Sequence, residues 1–386
     1  MAYNRKQRLN DNIKAIETAF ILDREQRTPT ARERLLLERY CGFGGLKCIL
    51  NPARELADAV HWAKSDLELF APTVELHRLI RENSKNESEY KQLMDSLKQS
   101  VLTAFYTPSA VTEALTDVLK EHQIIPEKVL EPSAGIGAFV DSVLDNNPKA
   151  DIMAFEKDLL TGKILRHLHP EQKVRIEGFE KIEKPFNDYF DLAISNIPFG
   201  DVAVFDPSYT AMKGMRALVT RRIHNYFFVK ALDTVRDGGL VAFITSQGVL
   251  NAKNNSAARF MMLYHADLVS AIRLPNNLFT ENANTEVGSD LIILQKNTQK
   301  ESLRGDDNLL DTVYNDENRI PTNNYFLEHP ERIIHTTAKL DTDPFGKPAM
   351  IYTHEDGVEG IAEDLRKMLH EDFKKNLNLN RYLGIE

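Results

Sequence analysis

Lys128-Val129-Leu130-Glu131-Pro132-Ser133-Ala134-Gly135-Ile136-Gly137-Ala138-Phe139 is the stretch whose reading decides the fold. Lys128-Val129-Leu130 reads as a short strand, the two glycines as a tight turn, and the residues from Gly137 onward as a helix. Strand, glycine turn and helix in that order form the context of a nucleotide-type ligand site. Gly135 and Gly137 let the backbone approach a ligand without Cβ interference, and the helix aims its free N–H groups at the same point. Taken alone, one G-x-G serves equally well as a structural turn.

Working outward, the next strand is Asp151-Ile152-Met153-Ala154-Phe155, and it ends in Glu156. An acidic residue about twenty positions after the glycine turn, at the end of the following strand, suits ribose hydroxyls. After the helix 159–168 comes the strand Lys173-Val174-Arg175-Ile176, and Glu177-Gly178-Phe179-Glu180 then places an aromatic and a carboxylate where they would flank a flat heterocycle. The fourth strand, Phe190-Asp191-Leu192-Ala193-Ile194, runs into Ser195-Asn196-Ile197-Pro198-Phe199-Gly200. Asn and Pro are common turn residues, so this last motif means little by itself. In an open α/β sheet, however, ligands sit in the crevice at the carboxyl ends of the strands. There an Asn amide and a backbone carbonyl can hold an amine, and a ring can stack on a base. Four successive strand ends with polar or glycine signals form a sharper pattern than any one of them.

Three more strands follow, at 240–245, 267–274 and 290–295, the first of them after the turn Asp237-Gly238-Gly239. Upstream, residues 1–100 read as helical, with Thr30 as an N-cap, Trp62 in the core and Tyr40-Cys41-Gly42-Phe43-Gly44-Gly45 as a packed turn. Downstream, residues 297–386 are rich in charge, Asn and Pro and read as a smaller lobe that contacts DNA or a partner. Between Asp206 and Asp233 the chain carries Lys213, Arg216, Arg221 and Arg222 with no acidic residue. That run fits either a solvated helix face or contacts to a phosphate backbone.

The 386 residues carry a net charge of −9, with 42% hydrophobic and 27% charged residues, so a nucleic acid would have to be met by a local patch. Cys41 and Cys48 are the only cysteines and lack metal-type spacing, which gives no expectation of a metal site or disulfide. No apolar run reaches membrane-spanning length and no charged-then-apolar leader opens the chain, so the expectation is a cytoplasmic protein without membrane contact.

Taken together, residues 101–296 resemble the N6-adenine DNA methyltransferase family (N-6 DNA methylases) that uses S-adenosylmethionine. Phe105-Tyr106-Thr107-Pro108 resembles the family's first cofactor motif, Glu131 to Phe139 its D/E-P-x-x-G-x-G-x-F loop, and Ser195 to Phe199 its catalytic N-P-P-Y/F/W motif. The resemblance implies an α/β fold: a Rossmann-like, seven-stranded class I methyltransferase sheet at 101–296, with a helical N-terminal extension (1–100) and a small C-terminal lobe (297–386).

It also implies cofactor contacts from Tyr106, Thr107, Pro108, Glu131, Pro132, Ser133, Ala134, Gly135, Gly137, Phe139, Glu156, Lys157, Phe179, Glu180 and Asn196. Catalysis would fall to Asn196, Ile197, Pro198 and Phe199, and DNA contacts to Lys213, Arg216, Arg221 and Arg222. Asn196 would accept from the target amine through its side chain and Pro198 through its backbone, with Phe199 stacked on the flipped base. Ile197 departs from the family's first proline, which implies a looser loop and weaker activity.

The segments 41–47 and 324–331 are similar to parts of the methylase–helicase proteins of phages and conjugative elements, although no G-x-x-x-x-G-K-S/T phosphate loop occurs. A separate recognition or helicase subunit is therefore a further expected partner. Two other readings keep parts of this pattern: transfer to an RNA amine or a protein amide, and a subunit that binds without chemistry.

Overall fold

The computed structural model describes residues 4–103, 106–212, 214–280, 286–303, 307–314, 319–343 and 346–385. Phe105 and Lys213 lie outside the described residues.

Seven strands form one sheet: β1 (Lys128–Glu131), β2 (Asp151–Phe155), β3 (Lys173–Arg175), β4 (Phe190–Asn196), β5 (Val235–Ser246), β6 (Ala266–Leu274) and β7 (Ser289–Lys296). Their spatial order is β3-β2-β1-β4-β5-β7-β6. β7 is antiparallel to both its neighbours, and the other pairings are parallel. The chain winds outward from β1 to β3, then restarts on the other side of β1 with β4. That reversal opens a crevice between the carboxyl ends of β1 and β4. The glycine turn and Asn196 emerge there, from adjacent strands.

Both faces of the sheet are covered, which is why its strands read as nearly continuous apolar runs. Leu192 and Ile194 face one core with Val129, Ile152, Ala242 and Ile293, whereas Ala193 faces the other with Phe155, Phe243 and Ile292. The first core is closed by the helix Gly357–Asn376, which buries Ile361, Leu365, Leu369 and Phe373 against it. A fully buried Leu or Phe contributes roughly 1.5–3 kcal/mol, so this helix is part of the core and not only of an appended lobe.

The second core takes the helix Ile223–Thr234 with Tyr226, Phe227 and Phe228. At the far edge, β6 and β7 are joined by a buried ion pair, with Arg273 Nε 2.9 Å from Asp290 Oδ1. The Asp237-Gly238-Gly239 segment, expected as a turn, lies within β5. Phe190 pairs with Val235 but Leu192 with Leu240, so the extra residues are absorbed as a bulge.

The N-terminal helices form a third apolar cluster that reaches into the sheet domain. Leu9, Ile16, Tyr40, Phe43 and Trp62 pack together with Leu160, Ile164 and Leu168 of the helix Leu159–Leu168, which follows β2. Thr30 caps the helix Ala31–Leu37 in a reciprocal box with Glu33. Asp23, at the end of the long first helix, accepts from Lys163, from His167 at 2.8 Å and from Arg166 at 3.1 Å. No helix among the described residues is long and apolar enough to cross a membrane.

Candidate active site

Gly135 and Gly137 have φ of +56° and +92°, a left-handed backbone that a side chain would strain. A Cβ on Gly135 would stand 2.8 Å from Cε1 of Tyr106, so the ring of the upstream motif lies directly against the turn. A Cβ on Gly137 would stand 2.6 Å from Nε2 of His169, a buried residue beneath the turn. The turn is tied to β2 by the Ala134 N–H, which donates to the Phe155 carbonyl at 2.8 Å. Ser195 Oγ donates to the Ser133 carbonyl at 3.4 Å, which links the end of β4 to the same turn.

Glu156 stands at the end of β2, as expected. Its Oε2 accepts the Gly135 N–H at 2.8 Å and its Oε1 the Asp158 N–H at 2.7 Å. Burial, reinforced by the negative charge of Asp158, pushes its carboxyl up to about 8. Glu131 is only 1% exposed, and burial raises its carboxyl to about 8 as well. Its Oε1 accepts weakly from the Ser133 N–H at 3.4 Å, while among the described residues Oε2 has no hydrogen-bond partner. Thr107 Oγ1 is another buried oxygen with no hydrogen-bond partner among the described residues.

The remaining expected cofactor residues divide by exposure. Ser133, Gly135, Pro108 and Tyr106 are partly open, whereas Pro132, Ala134 and Phe139 are buried beneath the turn. Phe179 departs from its expected role. Its ring is fully buried, 5.9 Å from Phe155 and 5.2 Å from Phe227, so it supports the crevice floor and does not face a ligand from the open side. What the 177–180 turn offers outward is Glu180, 3.6 Å from the exposed ammonium of Lys157.

On the other side of the crevice Asn196 ends β4, paired with Ile244. Ile197 points the opposite way and is 1% exposed within the second core. Its N–H donates to the Ile244 carbonyl at 3.0 Å, so the loop is held by a ladder bond that no proline could make. The expectation of a looser loop is corrected on that ground. Pro198 and Phe199 are partly exposed, and the Phe199 ring meets Phe279 edge-on at 6.2 Å. Phe279, from the turn after β6, was not singled out in the sequence, because only the folded sheet brings it to this edge.

The basic run is largely consumed inside the protein. Arg216 forms a two-pronged pair with Asp233 at 2.6 and 2.9 Å. Arg222 reaches Asn255 at 3.1 Å and Asp201 at 3.4 Å. Lys230 is buried against Asp206. Of the three expected DNA-contacting residues that are described, Arg221 alone is exposed. The sequence also gave no sign that Tyr40 would buttress the site. Its buried hydroxyl lies 3.2 Å from Thr161 Oγ1, on the helix that starts just past Glu156. Its neighbours form the tight packed turn expected of them, with Phe43 fully buried and the Phe43 N–H donated to Ser100 Oγ at 3.2 Å. Among the described residues no group of three or more His, Cys, Asp or Glu could hold a metal ion.

Strand order, a single antiparallel seventh strand and a glycine turn across the crevice from an Asn-ended β4 define a class I methyltransferase. The profile of the N-6 DNA Methylase family matches residues 88–382, and the chain belongs to that family. It is 29% identical over 201 residues to the defense against restriction protein B of Escherichia phage P1, covering 50% of this chain and 8% of that protein. It is 25% identical over 173 residues to the type II methyltransferase M.XamI of Xanthomonas campestris pv. amaranthicola, covering 42% of this chain and 33% of that one. The chain thus spans a third or less of the length of these two relatives. Among solved structures, the type I restriction-modification methyltransferase subunit of Streptococcus thermophilus aligns over 97% of this chain and 94% of its own, with 12% identity and a TM-score of 0.43.

Proposed function

We propose that this chain transfers a methyl group from S-adenosylmethionine to the exocyclic N6 amine of an adenine in DNA. The observation that carries the reading is the placement of Asn196 at the end of β4, bound through Ser195 to the glycine turn on β1. The two halves of a transfer site thereby meet across one crevice.

The residues present suit the cofactor. The Gly135 turn leaves room that a Cβ would fill, Tyr106 walls it, and Glu156 can take ribose hydroxyls on the lone pairs that its two backbone N–H bonds leave. When bound, S-adenosylmethionine supplies a methyl group made electrophilic by its sulfonium. The chain's own part is orientation. The Asn196 side-chain oxygen and the Pro198 carbonyl accept the two hydrogens of the target amine, which aims its lone pair, and Phe199 stacks on the base after it leaves the helix. This scheme needs no strong general base. A separate recognition or helicase subunit is a further partner under this reading, in keeping with the greater length of the two relatives.

Long-read sequencing of DNA from cells expressing the wild type or Asn196→Ala tests the reading. Methylated adenines at a defined motif with the wild type, absent with N196A, are expected, while N196A retains binding of S-adenosylhomocysteine. Tritium transfer to RNA or protein, with unmodified DNA, would overturn it.

A further inference from the structure

Phe205 is 79% exposed, yet the chain on both sides of it is fixed. On one side Val204 donates its N–H to the Thr220 carbonyl at 2.8 Å. On the other side Asp206 is buried. Its carboxylate accepts the Ser208 N–H at 2.8 Å, the Tyr226 hydroxyl at 2.6 Å and the Lys230 ammonium at 3.2 Å. Asp201 and Arg222, 3.4 Å apart, close the base of the loop, and Val202 within it is 60% exposed. Phe is among the residues most often buried. Here the ring stands outward between two anchored flanks.

The placement of the ring follows from the topology. β4 ends at the carboxyl edge of the sheet, and the helix Ile223–Thr234 runs back to the start of β5, so its N-terminus lies at that same edge. Residues 200–212 and 214–222 therefore lie toward the edge of the sheet at which Asn196 ends β4, and Phe205 stands among them. Arg221, one residue from the Thr220 anchor, is exposed and brings positive charge to the same edge.

We propose that Phe205, with Val202 beside it, is a wedge that enters the base stack of duplex DNA and fills the gap left when the target base turns toward Asn196. The assignment rests on the DNA-methylating reading above. Turning a base out leaves its neighbours unstacked and its partner unpaired, which costs free energy. An aromatic ring recovers part of that cost by stacking on any base, because every base has a π face. A ring already held outward by its flanking anchors loses little freedom on insertion.

The test uses a duplex carrying the motif that sequencing finds methylated, with 2-aminopurine at the target adenine. Wild-type protein with S-adenosylhomocysteine raises the fluorescence as the base leaves the stack. Phe205→Ala lowers the flipping equilibrium about tenfold, the equivalent of ~1.4 kcal/mol and within the range of one base–aromatic stack. Phe205→Trp keeps it, and both variants retain wild-type melting and S-adenosylhomocysteine affinity. An undiminished rise with F205A overturns the wedge while leaving the methyltransferase reading intact, and makes the exposed ring a seat for a protein partner. No rise with the wild-type protein overturns both together.

Discussion

Ile197 donates its backbone N–H to the carbonyl of Ile244 at 3.0 Å, extending the β4–β5 ladder one residue past Asn196. The catalytic-type loop therefore starts from a fixed point. The departure from the family's proline exchanges a preset φ for a hydrogen bond and a buried side chain.

Ile197→Pro should therefore harm the protein and not restore it. Proline has no N–H, so the Ile244 carbonyl loses its partner, and the buried Ile side chain is lost as well. The unpaired carbonyl alone costs about 1–3 kcal/mol, and the lost packing adds to it. Urea melts and methylation rates of the two proteins check this; a variant both more stable and faster would refute the ladder argument.

Gly135→Ala should disable cofactor binding. The added methyl falls 2.8 Å from Tyr106 Cε1 at a φ of +56°, where a side chain costs about 1–2 kcal/mol even in open space. Either the Tyr106 ring or the turn must shift. Calorimetry with S-adenosylhomocysteine should show at least a tenfold loss, the equivalent of ~1.4 kcal/mol, while the circular dichroism spectrum stays native.

Glu131 sets a pH dependence. Its ordinary value is 4.5, and burial raises it to about 8, so between those limits the folded chain holds a proton that the unfolded chain releases. Stability accordingly falls as pH rises from about 4.5 to 8. Glu131→Gln stays neutral and should gain on the order of 1–2 kcal/mol over wild type at pH 8, with no gain at pH 4. Glu156 is shifted in the same direction, so the slope should lessen without vanishing. Thermal midpoints across this range provide the measurement.

Asp23 works in the opposite sense. Burial opposes its charge, but hydrogen bonds from His167 and Lys163 prevail and hold the carboxyl well below its ordinary 3.8. Its contribution is present above that value and lost as pH falls below it. Asp23→Asn should cost about 1.5–3 kcal/mol at neutral pH, typical of charge-assisted bonds, with the deficit shrinking below about pH 4. Equal stability of the two proteins at pH 7 would show that the contact is idle.

Much of this architecture was legible in the sequence because it is written in local signals. The strand–glycine–helix order at Lys128–Phe139, the acid at Glu156 and the Asn at the end of β4 each lie at strand ends, where residue type follows directly from backbone demands. The rest depended on partners far away in the chain. Positive charge at Arg216 and Arg222 was visible, but Asp233 and Asn255 as their partners were not. Phe179 read as a ligand-facing ring because a turn aromatic gives no hint that Phe155 and Phe227 will enclose it. The helix Gly357–Asn376 read as an outlying segment, although it closes a core that begins more than two hundred residues earlier.

Tyr40 and its neighbours rest on the helix that follows Glu156, so the first hundred residues and the crevice at the strand ends share one wall. This restricts how such an enzyme can be cut, fused or exchanged between larger assemblies. A cut at residue 101 would bare Leu160, Ile164 and Leu168 to water and slacken the helix that follows Glu156. The unit that can be moved intact is the sheet together with its N-terminal buttress and the helix Gly357–Asn376. Replacements that leave that wall untouched belong at the opposite edge, around the Asn196 loop and Phe205.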